Sequence, residues 1–129
     1  MRRVVRHPAL WLGAFLLWFG ILWWLSSEVQ YFPPGLDFRF SDKLIHFGYF
    51  FGGAGLFAAF LFRLQPERPN WRRIFILTFL AVGLTGVLDE WHQSHVPGRS
   101  GNDPADLSAD LVGTLAGALI FRKSHRLLA

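Results

Sequence analysis

Four runs of apolar residues, 9–25, 44–62, 74–88 and 107–121, divide the chain, and the stretches between them carry its charge, proline and turn residues. Each run lies near the lower end of the ~20 residues that a membrane-crossing helix needs. Interfacial neighbours such as Trp71 and Asp106 bring the shorter runs to workable length. The pattern therefore predicts spans at about 9–26, 44–62, 72–90 and 106–121, packed as an all-α, four-transmembrane-helix bundle with short loops and forming a single membrane domain over residues 1–129. Trp11 near one end of the first run and Trp23-Trp24 near the other fit the aromatic belts of a crossing helix.

Composition agrees with a membrane setting. At 52% hydrophobic and 17% aromatic residues, the chain is too apolar for a small soluble domain with an ordinary wet surface. It has no cysteine, which excludes disulfides, thiolate metal sites and thiol nucleophiles. A net charge of +4 would raise nucleic acid as a partner of a soluble protein. The position of the charges removes that reading. Ten of the thirteen Lys and Arg residues fall at the N-terminus (Arg2, Arg3, Arg6), in the second connection (Arg63, Arg68, Arg72, Arg73) and in the tail (Arg122, Lys123, Arg126). If all four runs cross, these places share one side, and the positive-inside rule makes that side the cytoplasm, with both termini inside. Eight of the nine acidic residues, all but Glu67, then lie in or beside the outer connections.

An N-terminal RR-x-x-R before an apolar run also fits a signal peptide. The run of 17 residues exceeds a usual h-region of about 7–15, and Leu25-Ser26-Ser27 is a poor cleavage site. The first outer connection, 26–41, is broken by Pro33-Pro34-Gly35, and its Tyr31, Phe32, Phe38 and Phe40 are expected to dip into the headgroup region.

Candidate chemistry gathers at the outer ends of three spans. Asp42 and His46 stand i,i+4 on one helical face, with Lys43 between them. Tyr49 and Gly53 continue that face, while Gly48 and Gly52 form a small-residue stripe read as helix packing. In the third span Gly83, Gly86, Glu90 and Gln93 share a face, and Asp89 and His92 occupy the neighbouring one. Val96-Pro97-Gly98-Arg99-Ser100-Gly101 is a turn that holds an outer arginine. In the fourth span Asp106, Asp110, Gly113 and Gly117 share one face, which should point into the bundle.

Counted from the inner arginines, His46, Glu90 and Asp106 lie 17, 17 and 16 residues away from Arg63, Arg73 and Arg122. That is about 24–26 Å of helix in each case, just inside the outer face of a ~30 Å hydrocarbon core. Asp110 is about one turn deeper and needs a cation, a donor or a proton. Convergence of His46, Glu90 and Asp106 is expected, with Arg99 folded over them. These three are the candidates for acid, base or metal-ligand roles. Asp42, Lys43, Gln93, Arg99 and Asp110 are the candidate ligand contacts. Carboxylates with a histidine can hold a divalent cation, and this donor set suits Zn or Mn better than Ca.

The combination of DKxxH at the start of one span, DExxQ at the end of the next, a PGR turn and D-x-x-x-D-x-x-G-x-x-x-G resembles the VanZ-like integral membrane proteins, a family named for a teicoplanin-resistance protein. Asp42, Lys43, His46, Glu90, Gln93, Pro97, Gly98, Arg99, Asp106, Gly113 and Gly117 carry the match, which covers about residues 42–121. Asp110 stands where the family often has Asn. The resemblance implies a small bacterial plasma-membrane protein linked to the cell envelope or to glycopeptide antibiotic resistance. It supplies no established reaction.

Three functions fit these residues. One is an outer-leaflet pocket that binds or processes an amphipathic, lipid-linked or phosphorylated envelope molecule, with Arg99 and Lys43 meeting its anion. Another is a non-enzymatic scaffold or adaptor with a structural polar cluster. The third is a proton or small-solute carrier resting on the deep Asp110, for which four spans leave little room without a homo-oligomer. No nucleophile motif, phosphate-cradling glycine loop or HExxH occurs, so no reaction is assigned.

Overall fold

Polar residues mark where the long helices begin. His7 caps α2 (Pro8–Ser27) by accepting from the Ala9 N–H at 3.2 Å. Asn70 accepts from Arg73 N at the start of α4 (Trp71–Ser94), and Asp103 from Ala105 N at the start of α5 (Pro104–Ser124). Pro8 and Pro104 occupy first-turn positions, where a missing N–H costs nothing. A short α1 (Arg2–Val5) precedes these helices, α3 (Arg39–Leu64) lies between α2 and α4, and a 3₁₀ turn (His125–Leu128) ends the fold. The protein's structure, a computed structural model, describes residues 2–28 and 39–128, with the side chains of Arg2, Arg39 and Phe40 excepted. The expectations for Tyr31, Phe32, Pro33-Pro34-Gly35, Phe38 and the Phe40 ring lie outside the described residues.

The described residues form helices and no strand, and four helices are long and apolar enough to cross a membrane. This is a multi-pass, all-α architecture, as the apolar runs indicate. The helices exceed the expected spans: α3 begins at Arg39, before the expected 44, and α4 continues to Ser94, past 90. The apolar runs mark only the lipid-compatible part of each helix. Beyond it, Lys43 and Gln93 stay helical with side chains bonded to the buried Asp106 and Asp89. Of the four spans, α5 is the least apolar.

Without water between helices, close packing and hydrogen bonds hold such a bundle together. α3 and α5 make the tightest pair. A Cβ placed on Gly113 would collide with the Phe47 carbonyl oxygen, and one on Gly117 with that of Phe51. The fourth-span stripe is therefore a packing face, as its spacing indicates. The second-span stripe is not. Gly48 and Gly52 are exposed, and an added Cβ at either would meet nothing within 4 Å. The face of α3 that packs carries phenylalanine and alanine instead, with Phe50, Ala54 and Ala58 almost fully buried.

α2 docks on α3 through an aromatic lock. Trp18 donates its indole N–H to the Tyr49 carbonyl (3.1 Å), and the Tyr49 hydroxyl donates back to the Trp18 carbonyl (2.7 Å). The two rings stack at 5.1 Å, and Trp18 lies directly over Gly53. At the other end of the bundle Phe62, Trp71, Phe121 and His125 form a second aromatic cluster, and Arg63, largely buried there, donates to the Leu128 carbonyl.

A carboxylate and histidine cluster where four helices meet

The turn after α4 folds back onto that helix. Arg99 N donates to the Val96 carbonyl (3.1 Å), and Gly98 has φ 80°, a type II turn with Pro97 and Gly98 at its centre. Gly101 then passes so close to the Glu90 carbonyl and Ser94 N that no side chain would fit. Two backbone N–H groups complete the clasp: Asn102 donates to the Glu90 carbonyl (3.3 Å) and Asp103 to Glu90 Oε2 (2.9 Å). The start of α5 is thereby set beside the end of α4.

Among the described residues, six carboxylates surround the junction. Lys43 bonds three of them, Asp42 and Asp103 at 3.3 Å each and the buried Asp106 more tightly. The Ala105 N–H, followed by Lys43, holds the Asp103 carboxyl below the usual carboxylate range. One turn deeper, His46 Nδ1 lies 2.8 Å from Asp110 Oδ1, an N–H to carboxylate bond. The other ring nitrogen of His46 is 3.8 Å from Asp42 Oδ1 and 3.8 Å from Asp106 Oδ2. Asp89 accepts from Ser26 Oγ of α2 and from Gln93 Nε2 (2.8 Å). Two carboxylate oxygens, Glu90 Oε1 and Asp110 Oδ2, are buried with no hydrogen-bond partner among the described residues.

His46 is the shared member of two groups of metal-ligating atoms. One comprises His46, Asp89, Glu90 and Asp110, with donor atoms all within 4.8 Å of one another, and the other comprises Asp42, His46 and Asp106. Glu90 and Asp106 thus both come close to His46, as expected, but they fall in different groups. Glu90 belongs with Asp89 and Asp110 and bonds the Asp103 N–H, whereas Asp106 is bonded by Lys43.

Beside the cluster, between α2, α3 and α4, lies a cavity of about 120 Å³. Leu22, Leu25, Ile45 and Phe50 form its apolar wall. Asp42, His46, Asp89, Gln93 and Arg99 supply its polar lining, with Ser26 and Tyr49. Among the predicted ligand contacts, Asp42, Gln93 and Arg99 therefore face the cavity. Lys43 and Asp110 do not line it, since Lys43 is held by its three carboxylates and Asp110 by His46. Arg99 also anchors the turn to the end of α2, donating to the Glu28 carbonyl at 2.9 Å.

Two contributors were missed by reading faces. Asp89, assigned with His92 to the neighbouring face, is 1% exposed and belongs to the inner group. Its i,i+4 relation to Gln93 was the available signal. His92 goes the other way and stacks flat on Trp23 at 3.9 Å. Ser26 had no signal of its own, because it lies just past an apolar run and its partner is 63 residues away. Comparison with protein-family models, with curated proteins and with solved structures finds no match for this chain.

Proposed function

We propose that this is a VanZ-like protein of the bacterial plasma membrane, and that its polar cavity lies at the outer leaflet and binds an amphipathic cell-envelope molecule with a phosphorylated or lipid-linked headgroup. The observation that carries the proposal is the cavity's makeup: Arg99 and Gln93 at a polar lining, set against the apolar wall of Leu22, Leu25 and Ile45. Its volume of about 120 Å³ is smaller than the roughly 300–1,000 Å³ of a typical small-molecule site. A headgroup fits such a space if its hydrocarbon chain stays in the lipid. Arg99 offers a planar, multiply donating cation to an oxyanion. The ordered motif set from Asp42 to Gly117 supports the family reading, and with it a role in glycopeptide (teicoplanin) resistance.

Native mass spectrometry on protein extracted gently from its own membrane tests the binding. A phosphorus-containing lipid adduct is expected on the wild type and should fall to background in Arg99→Gln. That variant should accumulate normally, because the one side-chain bond it loses goes to a backbone carbonyl. An adduct equally abundant in both proteins, or absent from both, excludes the cavity as its site. A scaffold role is the second reading, favoured by one observation: Lys43 ties α3 to α5 through Asp106 and Asp103.

The placement at the outer leaflet rests on the segregation of basic residues, with both termini cytoplasmic. Since the chain has no cysteine, single replacements report topology cleanly. Cysteine at the exposed Ser100 should react with an impermeant thiol reagent in intact cells, and cysteine at the exposed Gln65 only after lysis. The opposite pattern would move the cluster to the cytoplasmic leaflet and end the envelope reading.

A further inference from the structure

We infer that His46, Asp89, Glu90 and Asp110 form a binding site for one divalent transition-metal ion of the Mn²⁺ or Zn²⁺ class. This goes beyond the headgroup reading and stands without it.

The first argument is the pair of buried oxygens without partners. Glu90 is 3% exposed and Asp110 0%, yet Glu90 Oε1 and Asp110 Oδ2 receive no hydrogen bond among the described residues. An uncompensated carboxylate oxygen inside a membrane bundle is costly. Their residues come from different helices and belong to the same group, so a single ion between α4 and α5 could satisfy both carboxylates.

Geometry is the second. The four donor atoms lie within 4.8 Å of one another. Around an ion with bonds of ~2.1 Å, tetrahedral donors stand ~3.4 Å apart, so the widest pairs must close by up to roughly 1.4 Å, shared between two side chains. His46 Nδ1 exchanges its bond to Asp110 for the metal, and its proton moves to Nε2, which faces Asp42 and Asp106 at 3.8 Å. A carboxylate behind a ligating histidine is the usual support for such a ligand. Asp89 is already oriented by Ser26 and Gln93.

Charge is the third. Among the described residues Asp42, Asp89, Glu90, Asp103, Asp106 and Asp110 face Lys43, Arg99 and His46, so the carboxylates outnumber the cations by three even with the imidazole charged. One nitrogen and three oxygens match Mn²⁺ or Zn²⁺, whereas Ca²⁺ takes six to eight oxygens.

The test uses the full chain in detergent, stripped with chelator, loaded with Mn²⁺ and desalted. Elemental analysis should return about one ion per chain, and the electron paramagnetic resonance signal of free Mn²⁺ should fall in proportion on titration. Glu90→Gln and Asp110→Asn should each weaken binding by ~10-fold or more. Asp103→Asn removes a nearby negative charge but no ligand and keeps a competent helix cap, so it should bind as the wild type does. Chelator-reversible stabilisation of the wild type by Mn²⁺ in thermal unfolding carries the same decision if a variant fails to fold. Substoichiometric Mn²⁺ and Zn²⁺ without any such stabilisation overturns the site, leaving protons to neutralise the cluster. Equal loss in Asp103→Asn and Glu90→Gln reduces it to general charge attraction. Loss in Asp42→Asn with binding kept in Glu90→Gln and Asp110→Asn moves the ion to the outer trio and overturns it as well.

Discussion

Gly113→Val should abolish accumulation of the folded protein, whereas Gly48→Val should leave it near the wild-type level. A Cβ at Gly113 meets the backbone oxygen, carbon and Cα of Phe47, none of which can rotate aside as a side chain would. The helices must separate. Overpacking a tight contact costs ~1–3 kcal/mol and sometimes more, and a rigid backbone partner places this case at or above the top of that range. Separation would also part His46, next to Phe47, from Asp110, one turn before Gly113 on α5. Gly48 faces outward with nothing within 4 Å and tolerates the same valine. Folded yield by size exclusion and the thermal midpoint of each variant decide the matter. A Gly113→Val protein that melts with the wild type would rule out the tight α3–α5 approach.

Lys43→Met should be the most damaging single change at the cluster that leaves packing volume nearly unaltered. It strips Asp106, 4% exposed, of its bonded cation and removes the tie to Asp103. Breaking one partner from a buried pair costs ~3–5 kcal/mol. The lower end applies, because the Lys43 side chain is 29% exposed and polar surroundings can partly replace it. Adding Asp106→Asn should restore much of the loss, since the stranded charge is then gone. A coupling energy of about 0.5–3 kcal/mol is expected from the double-mutant cycle in denaturant unfolding. Simple additivity of the two changes would show that the Lys43–Asp106 contact does not hold α3 to α5.

Much of this arrangement was legible in the chain because a membrane simplifies the code. Length and apolarity alone locate four spans, and counting residues from the arginine anchors brings His46, Glu90 and Asp106 to one level. The fourth-span face of Asp106, Asp110, Gly113 and Gly117 is buried throughout, as its spacing requires. What spacing cannot supply is the angular position of a residue near the boundary of a face. Asp89 and Glu90 are adjacent and thus about 100° apart on α4, and both enter the interior because α2 brings Ser26 to Asp89 while the turn brings the Asp103 N–H to Glu90. The Gly48–Gly52 stripe misled for a related reason: small residues permit close approach but do not say whether a helix of the same chain makes it. Partner choice for Lys43 was likewise hidden, since a lysine between an aspartate and a histidine reads equally well as free to meet a ligand.

The low apolarity of α5 has a consequence for biogenesis. Asp106 and Asp110 lie in the first two turns of the span that is the least apolar of the four, where each aspartate adds to the cost of insertion, though by less than the ~2.5–3.5 kcal/mol of one at a helix centre. Alone, α5 is a poor candidate to leave the translocation machinery for lipid. It follows α3 in the chain, so by the time it emerges α3 has already been made, with the Lys43 and His46 that the two aspartates bond. Chain order therefore delivers the counter-charges first, and α5 enters against a partner surface instead of bare lipid.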